Sequence, residues 1–154
     1  MKTDIFDVWI PSLPPGINRQ YGRARNGHVY LKPAARVWKQ YASIIVGARA
    51  GAIDWQDCGG LFNFEMYIVG SRSDADAYVK TVLDTVTEKL GFDDSRVISQ
   101  RSTKCSISVV RDMYKSYEAE RRNNRKVSCL SLIWEIEDYC TKSGIYVILY
   151  PAEG

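Results

Sequence analysis

Between Phe62 and Ile98 the chain spells out a strand, a turn, a helix and a second strand in quick succession. Phe62, Phe64, Met66 and Ile68 alternate with Asn63, Glu65 and Tyr67, the period of a half-buried strand. Gly70-Ser71-Arg72-Ser73 has the composition of a turn. From about Asp74 to Leu90, Val79, Leu83, Val86 and Leu90 fall on one face of a helix, and Gly91 stands where a left-handed cap ends one. Phe92-Asp93-Asp94-Ser95 then leads into a strand around Val97 and Ile98. Such a unit requires a sheet with at least one helix packed on it.

The flanks extend the pattern. Phe6, Val8 and Ile10 alternate with Asp7 and Trp9 as a first strand that stops at Pro11, and Pro14-Pro15-Gly16 makes a rigid turn. Residues 16 to 31 are rich in Gly, Arg, Asn and Tyr and read as an exposed, ordered loop. A helix starts near Pro33, with Ala34, Val37, Trp38, Tyr41, Ile44, Ile45 and Ala48 expected on its core face. Ile107 and Val109 suggest another alternation, Met113 to Arg122 a polar helix, and Ile145 to Tyr150 a final strand ended by Pro151. Between them, Leu130, Leu132, Trp134 and Ile136 alternate as in a strand, while Leu130, Ile133, Trp134 and Glu137 also fit a helix. Strands and helices do not alternate strictly, so the expected class is α+β, a mixed sheet packed against helices.

At 154 residues the chain is expected to form a single domain with a real core. No run of about 18 apolar residues suggests a membrane span, and the acidic start, Met1 to Asp7, does not read as a secretion signal; a cytoplasmic protein is expected. Cys58, Cys105, Cys129 and Cys140 form no CxxC pair and His28 is the only histidine, which argues against zinc and leaves reduced thiols as the expectation. The net charge of +3 decides little, but its distribution is informative. Arg19, Arg23, Arg25 and Lys32 are interleaved with Tyr21 and Tyr30, and Arg121, Arg122, Arg125 and Lys126 form a later group. Each group suits a phosphate-rich partner or an ordinary solvated face.

The chemistry concentrates on Asp74-Ala75-Asp76, on Lys80 one helical turn later, and on Asp93-Asp94 after the helix. If the two strands flanking that helix are neighbours, Asp94 is expected to return towards Asp74 and Asp76. Three carboxylates that close repel unless a cation offsets them, and a magnesium ion on oxygen ligands would. Lys80 would then neutralise charge building on a phosphate. A plainer assignment uses the same residues: Ser73 or Asp74 as helix cap, Asp76–Lys80 and Lys80–Asp84 as surface ion pairs, and Asp93-Asp94-Ser95 as a turn.

The order Pro14-Pro15-x-x-Asn18, a basic and aromatic loop, Asp74-x-Asp76-x-x-x-Lys80, Asp84, Asp93-Asp94-x-x-Val97 and Lys104 resembles the RusA family of Holliday junction resolvases over roughly residues 8 to 110. The resemblance implies a small homodimeric endonuclease, dependent on Mg²⁺ with Mn²⁺ as a substitute, that cuts four-way DNA junctions in recombination and repair. It implies Asp74, Asp76 and Asp94 as metal ligands and Lys80 as the catalytic cation. Asn18, Arg19, Arg23, Arg25, Lys32, Arg72 and Lys104 are the DNA-binding candidates. The role of Asp93 is left open, and Asp84 is assigned to structure or to pairing with Lys80. Two positions depart from the family pattern: Ala77 stands where asparagine is usual, and Ser73 where a basic residue often precedes the first aspartate. Residues 112 to 142 read as an insertion relative to compact members. The alternatives are a catalytically weakened branched-DNA-binding protein on the same scaffold, and an unrelated α+β interaction domain.

Overall fold

In the computed structural model, which describes residues 6–16, 21–50, 60–124 and 143–152, the elements run β1 (Phe6–Ile10), β2 (Tyr21–Arg23), β3 (Val29–Leu31), α1 (Pro33–Ala50), β4 (Phe62–Val69), α2 (Val79–Leu90), β5 (Val97–Cys105), α3 (Ile107–Asn124) and β6 (Gly144–Pro151). Short 3₁₀ turns, Ala75–Tyr78 and Asp94–Arg96, precede α2 and β5. The main sheet has the order β1-β6-β4-β5, and β2 with β3 makes a separate hairpin. β6 is antiparallel to both β1 and β4, whereas β4 and β5 are parallel, so the sheet is mixed. The class is α+β, as the sequence leads one to expect.

Alternation along the strands divides the core into two layers. Phe6, Val8, Ile10, Phe62, Phe64, Met66, Ile68, Ile145, Val147 and Leu149 pack with α1 and α2 on one face. Trp9, Val69, Tyr146 and Ile148 pack with Val110 and Tyr114 of α3 on the other. One ion pair bridges the layers at the β1 edge. Arg49 of α1 meets the fully buried Asp7 at 2.8 Å, and the Tyr146 hydroxyl donates to the second carboxylate oxygen of Asp7. Both charges of this pair are thus partnered, which burial requires.

α2 ends as its sequence demands. Gly91 takes φ 85°, and the amides of Gly91 and Phe92 both donate to Thr87 O. A left-handed residue here favours glycine, which lacks the Cβ that opposes it. Phe92 then stacks on Phe62 with ring centroids 5.1 Å apart, and the Arg96 guanidinium lies over both rings.

Three expectations are corrected. The core face of α1 is Ala35, Trp38, Ala42, Val46 and Ala50, while Ala34, Val37, Tyr41, Ile44 and Ala48 are exposed. Two apolar stripes lie on this helix, and spacing alone does not say which one the sheet covers. Ile107 and Val109 belong to α3 rather than to a strand, because Val110 and Tyr114 bury at helical spacing against the sheet. The polar helix expected from Met113 accordingly starts earlier. The strand-or-helix expectation for residues 130–137 lies outside the described residues. Among those described, no helix is long and apolar enough to cross a membrane. Cys105 is a free thiol, half-buried, with its pKa pushed up by that burial.

Candidate nucleic-acid interface

The strand register defines two ends of the sheet. At one end lie Ile10, Ile145, Ile68 and Lys104, which are aligned across the four strands. The turn after β4 leaves from this end. Gly70 reverses the chain with φ 77°, the Ser73 amide donates to Ser71 Oγ at 3.0 Å, and Ser71 Oγ lies 2.9 Å from the hydroxyl of Tyr78. Tyr78 is buried in the core, so this hydroxyl contact anchors the turn from below. Asp74 and Asp76 stand on the anchored loop and Lys80 in the first turn of α2, all three exposed.

None of the three is consumed locally. Asp74 has extended backbone, φ −64° and ψ 153°, and its side chain makes no capping hydrogen bond. Among the described residues no ion pair joins Lys80 to Asp76 or to Asp84. Asp74 thus takes the N-cap position of the 3₁₀ turn without a side-chain cap bond, and among the described residues neither expected ion pair forms. At Asp93 the plainer assignment does hold: its carboxylate accepts from the Ser95 amide at 2.9 Å, which together with contacts from the Ser95 and Asp94 side chains lowers its pKa.

Two cationic candidates, Arg72 and Lys104, stand at this end of the sheet. Arg72 precedes the acids in the turn, and Lys104 is exposed near the end of β5. The β2–β3 segment leaves from Pro14–Gly16, where a Cβ on Gly16 would sit 4.0 Å from Ser73 Oγ, and rejoins the body at α1. Arg36 ties that junction by donating to Leu31 O at 3.0 Å. Arg23, Arg25 and Lys32 on this segment are exposed. Asn18 and Arg19 lie outside the described residues, as do Arg125 and Lys126; Arg121 and Arg122 fall in α3.

Asp94 is not part of this group within one chain. Parallel pairing sets Phe62 opposite Val97 and Val69 opposite Cys105. Asp94, just before Val97, therefore stands at the far end of the sheet. β4 covers eight residues, roughly 23 Å at the usual rise, and the twelve residues of α2 span about 18 Å. The two rulers agree that about 20 Å separates Asp94 from Asp74 and Asp76. Neighbouring strands joined by a helix are indeed present, but because they are parallel the helix carries the chain away from its starting end. Among the described residues no three of His, Cys, Asp or Glu gather closely enough to hold a metal ion. The expected three-aspartate cage is thus not assembled by a single chain. The turn itself offers two carboxylates, and magnesium is commonly held by one or two carboxylates together with waters and substrate phosphates.

Ser71 and Tyr78 are site-building residues that the sequence reading passes over. The signal for Tyr78 is a hydroxyl on a core-facing position, which needs a partner. Ala77 packs, partly buried, against the core beneath the acids. The chain matches no family model and no curated protein.

Proposed function

We propose that this protein is a structure-specific endodeoxyribonuclease acting on branched DNA, with the four-way junction of the RusA resemblance as its substrate. One observation carries the reading. Two exposed carboxylates and an amine, held in no side-chain cap bond or ion pair among the described residues, share an anchored turn at the end of the sheet from which the cationic segments also leave.

The reaction is hydrolysis of a phosphodiester. A water oxygen bonds to phosphorus in line with the departing 3′ oxygen, which takes up a proton, leaving a 5′-phosphate and a 3′-hydroxyl. Asp74 and Asp76 orient the attacking water and accept its proton. Lys80 faces the charge that builds on the phosphate, or protonates the leaving oxygen. Asp74 and Asp76 would hold magnesium, or manganese in its place; when bound, such an ion polarises the phosphate and lowers the pKa of water. Arg23, Arg25, Lys32, Arg72 and Lys104 bind phosphates and position the strands, as do Asn18 and Arg19 in the family pattern. A homodimer matches the approximate twofold symmetry of a four-way junction by presenting one site to each of two opposed strands.

The test is incubation with a labelled synthetic junction, with and without Mg²⁺, with nicks mapped on each strand. A second reading, a branched-DNA-binding protein with weakened catalysis, is favoured by Ala77, whose methyl serves the core where the family pattern has a polar amide. It predicts junction binding without nicks in the same assay.

A further inference from the structure

The open groove beside helix α1 is apolar within and cationic around. Its walls are the segment after β1, from Pro11 to Pro15, and the first half of α1, and its volume is about 880 Å³, within the range of small-molecule sites. Pro14, Pro15 and Pro33 supply rigid rings, Val37 an aliphatic side, and Tyr41 a phenol ring that is 42% exposed. No charged residue lines it. Trp38 donates its indole N–H to Ser12 O at 3.1 Å, so that donor is already engaged.

The rim has the opposite character. Every charged side chain between Asp7 and Asp54 is a cation. Lys32 and Arg36, chain neighbours of the lining residues Pro33 and Val37, are both exposed. Cations around flat apolar rings are the pattern that holds single-stranded nucleic acid, with phosphates on the charges and bases on the rings. A peptide or a second copy of the chain would use the rings and leave the cationic rim without a role.

Position supplies a second argument. Pro15 lines the groove, a Cβ on its neighbour Gly16 would sit 4.0 Å from Ser73 Oγ, and Ser73 precedes Asp74. The groove wall and the acid turn are therefore within about 15 Å of each other. That is a few nucleotides along a strand whose stacked bases rise about 3.4 Å each.

We propose that the groove receives one unstacked nucleobase from the DNA strand that passes the Asp74–Asp76 turn, held against Tyr41 and the proline rings. The proposal rests on the DNA reading and adds a site to it. Lys32 and Arg36 meet the flanking phosphates. The lining is apolar, so the base is held by stacking and its identity matters little. Lifting a base out of its stack costs least where it is already unpaired, so the groove favours branched over fully paired DNA.

The test is fluorescence anisotropy of labelled four-way junctions without Mg²⁺, each carrying one abasic nucleotide stepped outward from the branch point. With the parent chain, one abasic position should weaken binding about tenfold. Tyr41→Ala should weaken binding of the intact junction by a similar factor and lose its sensitivity to that position. Tyr41→Phe, which keeps the ring, should behave as the parent, and far-UV circular dichroism checks that both variants fold. Salt-dependent junction binding with no sensitive abasic position overturns the groove site and leaves the nuclease reading standing. An abasic loss undiminished in Tyr41→Ala overturns it too, as does a Tyr41→Ala chain that keeps its junction affinity but loses self-association or binding of a polyproline peptide. A parent chain that binds no junction ends both readings.

Discussion

The hydroxyls of Ser71 and Tyr78 lie 2.9 Å apart across the turn that carries Asp74 and Asp76. One is in the loop and the other in the core, so the contact transmits the rigidity of the sheet and helix layer to the acids. Tyr78→Phe keeps the ring and removes the bond. It should lower stability by about 1 kcal/mol, the net worth of one hydrogen bond, and lower the cleavage rate by more than that loss explains. Chemical denaturation and single-turnover cleavage check the two effects separately.

Phosphate contacts should dominate DNA binding. The slope of log affinity against log salt should be steep for the parent chain, and Arg23→Ala or Lys104→Ala should each reduce it by about one. The effect should be uniform across DNA sequences, because these side chains are assigned to backbone. A slope unaffected by either change removes that residue from the interface.

On the α3 face of the sheet, Glu65 accepts from Tyr67 at 2.5 Å and from Tyr150 at 2.6 Å. The bond to Glu65, then burial, pushes the Tyr150 phenol up to about 12. Burial, then the same carboxylate, raises Tyr67 as well. Both pKa values rise on folding, so the stabilisation is complete below pH about 10, the unfolded value for tyrosine. It is lost as pH climbs towards the folded values. Unfolding midpoints should therefore fall between pH 10 and 12, and fall less steeply in Tyr150→Phe. Phenolate absorbance followed through the same range gives an independent reading.

How far the sequence leads depends on which physical rule is asked. Alternation in Phe62–Val69 and the glycine after Leu90 are local signals, and the strand, helix and cap they imply are present. The choice between parallel and antiparallel neighbours is not local. It decides where Asp94 stands, and the expectation that Asp94 would rejoin Asp74 and Asp76 fails on that point. The face of α1 is misassigned in part for a related reason: of the expected residues Trp38 and Ile45 do pack on the core, while Val37, Tyr41 and Ile44 lie on a second apolar stripe that the sheet leaves uncovered. For the turn itself, the acids and Lys80 are evident from their spacing. The Ser71–Tyr78 anchor is not, because it depends on a hydroxyl meeting its partner across seven positions.

If Asp94 serves the Asp74–Asp76 site, it does so from a second copy of the chain. A mixture of Asp76→Asn and Asp94→Asn chains, each inactive alone, should regain nicking, because a mixed dimer retains one site with all three carboxylates. Recovery is measured by strand cleavage against the ratio of the two variants. A mixture as inactive as its components would place the acids together in one chain, against the sheet register. Full activity of Asp94→Asn alone would remove that residue from the reaction.

The most direct test of the central claim is cleavage of an end-labelled four-way junction by the parent chain, Asp76→Asn and Lys80→Ala, in Mg²⁺. The account predicts paired nicks with ligatable 5′-phosphates from the parent. It predicts roughly a hundredfold or greater loss of rate in each variant, with junction binding retained. A parent that binds without nicking, or an Asp76→Asn variant that cuts at the parental rate, would contradict it.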